Sequence, residues 1–358
     1  MSIAAIDEIA ALLPPLLRAL EMLGFIARRF HPPDFGAVME AAGTPDQDLR
    51  AARSLIANPS DEPAAAHLLT AADAALAAFD GLHKAPAAPD GVRAAYRALR
   101  YLPRAKEALY PLAAKVPQIN RFFLEPALRD DAAALARTMA PARGDTGVMH
   151  FDNEPGSRGG WSLYVPEFYT PERAWPLVAA LHGGSGSGRN FLWTWLRDAR
   201  SFGAILIAPT ATGPTWALMG EDTDTPNLNR MLDAVRSRWN IDASRMLLTG
   251  MSDGGTFCYV TGLEDASRFT HLAPVSATFH PLMAEMASPE RLRGLPIHLV
   301  HGALDWMFPV EIARQTHRLL AAAGADIVYR ELDDLSHCYP DEINAALLAW
   351  LRDSARSQ

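Results

Sequence analysis

The sequence predicts an α/β protein in which a mostly parallel sheet, with helices on both faces, is preceded by an all-α region. The first observation is a change in composition near Gly144. Residues 1–145 contain 38 alanines, six glycines and no tryptophan, whereas all eight tryptophans lie after residue 145. The second observation is that short apolar runs alternate with helical stretches from Gly147 onward, which is typical of strands joined by crossover helices. We therefore assign residues 1–145 to a helical region and residues 146–358 to the α/β domain.

The helical region contains three helix signals. Alanine and leucine at helical spacing favour helices because alanine loses no side-chain entropy there, and the first helix is expected over about Ile3–Phe30. A second is expected to start at Thr44-Pro45-Asp46-Gln47, where a hydroxyl, a proline and a glutamine follow the order of a capping box. A third is expected to start at Ser60 and stop at Gly81. We expect this region to act as a lid over the functional site or as an oligomerisation module.

The α/β domain is predicted to contain seven strands and four helices. The predicted strands are Trp161–Val165, Pro176–Leu181, Ala204–Ala208, Met246–Leu248, His271–Val275, Ile297–Val300 and Ile327–Glu331. The predicted helices are Asn227–Trp239, Gly254–Gly262, Val310–Ala323 and Pro340–Arg352. Because functional groups in such sheets gather where the strands end at their carboxyl edge, the site is expected there.

Charge and composition limit the partners of the protein. The net charge of -8 and the pI near 5.8 argue against a nucleic acid or an anionic membrane surface as a partner. The apolar N-terminus carries Asp7 and Glu8 and lacks the early basic residues of a secretory signal. Pro14, Pro15 and Arg18 interrupt the longest apolar run, so stable membrane insertion is not expected. With only two cysteines, we expect a cytoplasmic protein with a small-molecule substrate, as a monomer or a homo-oligomer.

The segment Leu247–Gly255 carries the strongest chemical signal. An apolar strand-like run ends there in Gly250-Met251-Ser252-Asp253-Gly254, and a helical pattern begins directly after it. A Gly-x-Ser-x-Gly sequence between a strand and a helix is typical of a nucleophile elbow, a turn so tight that only glycines fit beside the serine. Ser252 is therefore the candidate nucleophile.

Asp305 and His337 are the candidate partners of Ser252. A serine nucleophile needs a general base, and the base needs an acid that orients it. Asp305 closely follows a predicted strand, and His337 lies between the last predicted strand and the last helix. The order serine, acid, histidine is that of hydrolases with this elbow. Asp333 and Asp334 compete for the role of the acid, but they precede the histidine loop instead of following the preceding strand.

The glycine-rich segment Leu181–Gly188 is the candidate oxyanion loop. It follows a predicted strand, and its glycines let backbone N–H groups approach a substrate oxygen closely. We expect Gly184 to supply one donor, with Gly183 as the alternative, and the N–H of Asp253 to supply the other. Aromatic side chains near these loops are the candidate walls of the substrate pocket: Trp306, Phe308, Tyr339, Trp216 and Phe191.

The sequence gives no indication of a metal or a cofactor. His298 lies on the predicted strand Ile297–Val300 and His301 directly follows its end, three positions further on, so their side chains point to opposite faces and cannot hold one metal ion together. The sequence contains neither a Gly-x-x-x-x-Gly-Lys phosphate loop nor a dinucleotide fingerprint. Cofactor-free chemistry is therefore expected.

These motifs resemble the phospholipase/carboxylesterase branch of the α/β-hydrolase superfamily over about residues 147–352. The resemblance rests on four segments: His182-Gly183-Gly184, Gly250–Gly255, His301-Gly302 through Asp305, and His337 before Tyr339-Pro340. It implies an α/β-hydrolase fold and a cofactor-free serine esterase that acts on carboxylic esters, thioesters or lysophospholipids. The chain has Asp253 where the compared members often have glutamine, and Ser336 where they often have glycine.

The function predicted from these residues is a serine carboxylesterase that hydrolyses small to medium acyl esters through an acyl-enzyme on Ser252. A peptidase, a thioesterase or lysophospholipase, and a polyester depolymerase would use the same acylation chemistry, so the three candidate catalytic residues do not separate them. A non-catalytic binding protein on a hydrolase scaffold is the alternative from a different class. The complete set of candidate residues weighs against it.

Overall fold

The computed structural model of the chain describes residues 3–56, 61–140 and 143–354. The chain divides into two units, unit 1 at residues 1–140 and unit 2 at residues 141–358. Unit 1 ends five residues before the boundary at residue 145 that composition indicates, because the last helix of unit 1 already stops at Thr138.

Unit 1 is helical. Its described α-helices are α1 Ile3–Arg29, α2 Phe35–Ala42, α3 Pro45–Ser54, α4 Pro63–Lys84, α5 Gly91–Leu99, α6 Tyr101–Leu109, α7 Pro117–Phe122 and α8 Ala132–Thr138. Short 3₁₀ turns at Pro32–Asp34, Ala85–Ala87, Tyr110–Leu112 and Pro126–Leu128 join some of them. The predicted all-α region is confirmed.

Helix α1 packs on α3 and α4 through a leucine-rich face. Leu12, Leu16, Leu20 and Leu23 recur at helical spacing and are buried, because residues three or four apart lie on one side of a helix. By length and composition, Ala10–Arg29 is also a candidate membrane span, and 39% of its apolar stretch is buried inside the protein. The buried leucines make this face part of the core of unit 1.

The helix starts and stops predicted for unit 1 are confirmed in part. Helix α3 begins after Thr44 as predicted, but the Thr44 side chain makes no capping hydrogen bond to a described residue. The predicted start at Ser60 lies outside the described residues. The predicted stop at Gly81 is wrong, because α4 continues to Lys84. A Cβ at Gly81 would lie 2.6 Å from the Cβ of Ala98 in α5, so this glycine lets two helices approach closely.

Unit 2 contains an eight-stranded mixed sheet in the order β1-β2-β4-β3-β5-β6-β7-β8. β1 pairs antiparallel with β2, β2 pairs antiparallel with β4, and the other pairs are parallel. The strands are β1 Gly147–Phe151, β2 Trp161–Val165, β3 Trp175–Leu181, β4 Ile205–Pro209, β5 Ile241–Met251, β6 His271–Val275, β7 Pro296–Gly302 and β8 Asp326–Leu332. All seven predicted strands are therefore present, and β1 is an eighth at the edge.

The helices of unit 2 lie between the strands and after the last one. They are α9 Gly188–Phe202, α10 Asp224–Arg236, α11 Asp253–Gly262, α12 Pro281–Met286, α13 Pro289–Leu292, α14 Val310–Ala322 and α15 Asn344–Ser354, with a 3₁₀ turn at Asp341–Ile343 before α15. The fold class predicted from the sequence, a mostly parallel sheet with helices after an all-α region, is confirmed.

Two helices of unit 2 begin at positions that differ from the prediction. Helix α10 begins at Asp224, before the predicted Asn227, because the Asp222 carboxylate accepts the N–H groups of Asp224 and Thr225 at 3.0 and 2.9 Å and caps the helix earlier. Helix α15 begins at Asn344, because the residues after Pro340 form the 3₁₀ turn.

The central strands place the loops that carry the site. Every residue of β4 and β6 is buried, as is nearly every residue of β3, which is typical of parallel strands covered by helices on both faces. Met251 at the end of β5 pairs with Val275 at the end of β6. Because the parallel strands end at the same edge, Ser252 and the loops after β3, β6 and β7 are brought together there.

Replacing Gly254 with alanine is expected to destabilise unit 2. A Cβ at Gly254 would lie 2.5 Å from the His182 carbonyl oxygen and 2.6 Å from that of Leu181, so the end of β3 would have to move. Such overpacking costs about 1–3 kcal/mol of the free energy of unfolding, measured by urea denaturation. Gly144→Ala is the control, because a Cβ there meets no described atom within 4 Å. An equal loss in both variants would contradict the packing argument.

Burial of His271 is expected to make stability depend on pH. Its ring lies edge-on against Trp350 with centroids 4.7 Å apart, and burial lowers the pKa of His271 to about 4. As pH falls below about 6.5, the unfolded chain binds a proton that the folded protein excludes, so stability is lost between about pH 6.5 and pH 4. The loss from His271 amounts to about 2 kcal/mol between about pH 7 and about pH 5.

His271→Phe is the variant that tests this pH dependence. Phenylalanine keeps an aromatic ring beside Trp350 but does not titrate. The free energy of unfolding should therefore fall less between neutral and acidic pH in this variant than in the wild type, as measured by urea denaturation at both pH values. Equal falls in the two proteins would show that His271 does not carry the acid sensitivity.

Candidate active site

Ser252 lies in the turn between β5 and α11 with its backbone in a strained conformation. Its φ of 55° and ψ of -122° are rare for a residue with a side chain and cost about 1–3 kcal/mol. The turn is held in part by the Ser252 N–H, which donates to the Val275 carbonyl at 2.9 Å. Gly254 lies against the end of β3, where a side chain would collide with its backbone. The turn therefore has the geometry of the predicted nucleophile elbow.

The structure brings His337 and Asp305 to Ser252. The His337 Nε2 atom lies 3.0 Å from the Ser252 Oγ atom, and His337 Nδ1 lies 2.9 Å from Asp305 Oδ2. His337 comes from the loop after β8, and Asp305 from the loop after β7. All three side chains are buried, with residue exposures of 4–7%. The imidazole can therefore accept the serine proton at Nε2 while the carboxylate accepts the Nδ1–H.

The Asp305 carboxylate is fixed by its own loop. Its Oδ1 atom accepts the N–H groups of Met307 and Phe308 at 3.0 and 2.8 Å. Burial alone would raise the pKa of Asp305, but the hydrogen bond and charge of His337, together with the Phe308 N–H, hold it below its usual value. The carboxylate is therefore ionised at neutral pH and oriented toward the imidazole. The competing acids Asp333 and Asp334 are exposed.

The candidate oxyanion loop passes beside Ser252. The N–H of Ser185 donates to Pro214 and that of Gly186 to Gly183, each at 3.0 Å, so these two groups are engaged within the protein. A Cβ at Gly183 would lie 3.5 Å from the Ser252 Cβ, and one at Gly184 would lie 2.6 Å from Asp253 Oδ2. Both predicted donor residues of the loop thus adjoin the elbow.

Asp253 is the first residue of α11. The first N–H groups of a helix have no acceptor inside the helix, so the Asp253 N–H is of the kind that serves as a donor to a bound oxyanion. Its side chain points elsewhere, since Thr215 Oγ1 donates to Asp253 Oδ2 at 2.5 Å. The Asp253 carboxylate is therefore bound by Thr215, whereas the imidazole of His337 is bound by Asp305.

His182 supports the candidate oxyanion loop, a role that the sequence does not reveal. Its Nε2 atom accepts the Ala211 N–H at 3.1 Å, and its Nδ1–H donates to the Gly183 carbonyl at 2.7 Å. Burial lowers the pKa of His182 to about 4, so the ring is neutral and keeps this tautomer at neutral pH. The ring thereby joins the end of β3 to the residues after β4.

Arg158 is a second support that the motifs do not indicate. Its Nη1–H donates to the Gly186 carbonyl at 2.7 Å, and its Nε–H donates to the Gly213 carbonyl at 2.6 Å. The guanidinium therefore joins the candidate oxyanion loop to the loop that carries Thr215. No local pattern around Arg158 could have revealed this contact, because its acceptors lie 28 and 55 residues away in sequence.

The five predicted pocket residues lie in different surroundings. The Phe308 ring packs edge-on against His337 with centroids 5.2 Å apart, and Trp306 beside Asp305 is 45% exposed. Trp216 is buried and donates its indole N–H to the His182 carbonyl at 2.7 Å. The structure thus brings Phe308 to the candidate catalytic residues and places Trp216 against His182 in the candidate oxyanion loop.

The remaining two predicted pocket residues contact each other. The rings of Tyr339 and Phe191 are 5.4 Å apart in a T-shaped arrangement. The Tyr339 hydroxyl donates to Asn344 Oδ1 at 2.9 Å, and burial raises the pKa of Tyr339 well above its usual value. Tyr339 therefore ties the histidine loop to the start of α15. Among the described residues, no group of three His, Cys, Asp or Glu side chains is arranged to hold a metal ion.

Comparison with known proteins points to ester hydrolases. Residues 221–352, which include Ser252, Asp305 and His337, match the model of the Phospholipase/Carboxylesterase family. A bifunctional acetylxylan esterase/xylanase from Neocallimastix patriciarum is 28% identical over 164 residues, which are 44% of this chain and 23% of that protein. A probable feruloyl esterase C from Aspergillus terreus is 29% identical over 121 residues, 32% of this chain and 44% of that protein. The chain thus spans less than half the length of either relative.

One solved structure of an esterase resembles this chain over part of its length. A solved structure of a thermostable esterase is 21% identical, with a TM-score of 0.43, and the match covers 58% of this chain and 60% of that chain. The family model and the two relatives are named for esterases, and each matches only part of this chain. The predicted resemblance to the phospholipase/carboxylesterase branch is confirmed over residues 221–352.

Proposed function

We propose that the protein is a serine carboxylesterase that hydrolyses small to medium acyl esters through an acyl-enzyme intermediate. The observation that carries the proposal is the continuous hydrogen-bonded chain from Ser252 Oγ through His337 to Asp305, with distances of 3.0 and 2.9 Å. The strained turn at Ser252 supports the same function, as do Gly250 and Gly254 on either side of it, where a side chain would collide with neighbouring backbone.

Acylation follows from the roles of the three side chains. Ser252 Oγ attacks the ester carbonyl carbon while His337 Nε2 takes the hydroxyl proton, and the carbonyl oxygen becomes an oxyanion. The N–H groups of Asp253 and Gly184, with Gly183 as the alternative, stabilise that oxyanion, each by about 3 kcal/mol. The intermediate then collapses, the bond to the alcohol oxygen breaks, and His337 returns its proton to the departing alcohol.

Deacylation repeats these steps with water. His337 takes a proton from a water molecule that attacks the acyl carbon on Ser252, and it returns that proton to Ser252 Oγ when the carboxylic acid leaves. Asp305 remains ionised throughout and stabilises the imidazolium that forms in each step. The same pair of N–H donors serves both tetrahedral intermediates.

The matched relatives suggest which esters to test first. One is named for acetyl esters of xylan and the other for feruloyl esters. We propose that this protein takes acyl groups in that range, from acetyl to hydroxycinnamoyl. The exposed indole of Trp306 and the ring of Phe308 beside His337 would provide apolar contacts for such an acyl group.

The proposal is tested by assaying p-nitrophenyl acetate, butyrate, octanoate and laurate beside methyl ferulate, acetylated xylan, an acyl thioester and a peptide amide. The protein is also treated with a fluorophosphonate, and the labelled residue is mapped by mass spectrometry. We expect turnover of the shorter esters and a single covalent adduct on Ser252 that blocks it. Turnover of the amide or the thioester alone would favour the peptidase or thioesterase alternative. Ester turnover that survives without a label on Ser252 would contradict the mechanism.

A further inference from the structure

A second histidine lies behind the candidate catalytic acid. His301 is on β7, its side chain is fully buried, and its Nε2 atom lies 2.8 Å from the Phe308 carbonyl oxygen. The same Nε2 atom is 3.6 Å from Asp305 Oδ2. His301 therefore contacts both ends of the short segment Asp305–Phe308, whose first residue orients His337.

The hydrogen bond to Phe308 defines the state of the His301 ring. A carbonyl oxygen can only accept, so Nε2 must carry the proton. Burial lowers the pKa of His301, although the Phe308 carbonyl and the Asp305 charge oppose the shift, so the ring is neutral at neutral pH. The charged or titratable groups that face it are Asp305, His337 and Glu331. Glu331 is itself paired with Arg314 at 2.6 Å.

Both backbone groups of Phe308 hold the segment Asp305–Phe308 in place. The Phe308 N–H donates to Asp305 Oδ1 at 2.8 Å, and the Phe308 carbonyl accepts from His301. The Phe308 ring meets His337 at a centroid distance of 5.2 Å. A shift of Phe308 would therefore displace both the Asp305 carboxylate and the Phe308 ring that packs against the imidazole of His337.

We propose that His301 is a positioning residue that holds the Asp305–Phe308 segment so that Asp305 and Phe308 fix the orientation of His337. This inference rests on the proposed esterase function of Ser252, His337 and Asp305. His301 does not touch the substrate or exchange a proton in the reaction. It acts by keeping the carboxylate in place while the imidazole gains and loses a proton, and such placement is worth large factors in rate.

The test compares three variants of the full chain. His301→Leu removes the donor to Phe308, whereas His301→Gln retains an N–H donor at a comparable reach from the strand. His298→Leu is the matched control, because His298 lies on the same strand, faces the opposite side and packs against Trp350 at 5.5 Å. Each variant is titrated with a fluorophosphonate to count active sites, and its folded state is checked by thermal unfolding.

We expect His301→Leu to lower kcat on p-nitrophenyl acetate by up to about 100-fold with little change in KM. His301→Gln should recover most of this loss, and His298→Leu should retain wild-type kcat per titrated site. The acidic limb of the kcat/KM profile of His301→Leu should move to lower pH, because a displaced Asp305 stabilises the imidazolium of His337 less. In NMR spectra without substrate, the downfield Nδ1–H signal of His337 should shift or broaden.

Several outcomes would overturn the inference. One is that His301→Leu keeps wild-type kcat per titrated site. Another is that its pH profile and its His337 NMR signal are unchanged. A third is that His301→Gln folds but is no more active than His301→Leu. These results are distinct from failure of the proposed function. If the proposed function were wrong, the wild-type protein itself would neither hydrolyse the esters nor be labelled at Ser252.

Discussion

Replacing Ser252 with alanine is expected to reduce ester turnover by about 10⁵- to 10⁶-fold, close to the limit of detection. In the proposed mechanism, the variant removes the protein atom that forms a covalent bond to the acyl group, and His337 then has no hydroxyl to deprotonate at 3.0 Å. The proposed oxyanion donors would remain, so a small residual rate above water is expected. Initial rates with p-nitrophenyl acetate and loss of the fluorophosphonate adduct measure the effect.

Ser276→Ala is the matched control for this variant. Ser276 also follows the end of a strand, has a positive φ of 45° and is fully buried, so it resembles Ser252 in position and backbone. Its N–H donates to the Val300 carbonyl at 3.0 Å, and alanine keeps that contact. Activity should be unchanged in Ser276→Ala. A comparable loss in both variants would mean that the effect of Ser252→Ala comes from damage to the strand ends.

The candidate catalytic residues could be predicted from sequence because each lies a few residues from a strand end. The elbow at Ser252, the segment before Asp305 and the loop of His337 each follow an apolar run, and parallel strands bring such loops to one edge. Chain order then assigns the roles. The prediction rested on local patterns, and the fold supplied the distances between them.

The hydrogen bonds that hold the loops of the site in place could not be predicted, because they join segments that are far apart in sequence. His182 accepts from Ala211 at a separation of 29 residues, Arg158 donates to Gly213 at 55, and Thr215 donates to Asp253 at 38. No periodicity or motif encodes such contacts. The orientation of the Tyr339 side chain could not be predicted either, because closeness to His337 in sequence does not fix where the hydroxyl points. In the structure the Tyr339 hydroxyl donates to Asn344.

Replacing Asp305 with asparagine is expected to reduce kcat by about 10⁴-fold without unfolding the protein. An asparagine amide is nearly the same size as the carboxylate, and its oxygen can still accept the N–H groups of Met307 and Phe308. Its NH₂ group, however, can donate to His337 Nδ1, and the imidazole would then carry its proton on Nε2, facing Ser252. In that tautomer the base cannot accept the serine proton, and the charge that stabilises the imidazolium is also lost.

Asp333→Asn separates this mechanism from a general effect of removing a carboxylate near His337. Asp333 is four residues from His337 in sequence and exposed, so its replacement should leave kcat and KM at wild-type values. The decisive measurement is the ratio of kcat between the two variants, per site titrated with a fluorophosphonate. A ratio near one would remove Asp305 from the mechanism. Equal thermal unfolding curves for both variants would assign the loss in Asp305→Asn to the tautomer and charge of His337, because the segment that holds the residue would then be intact.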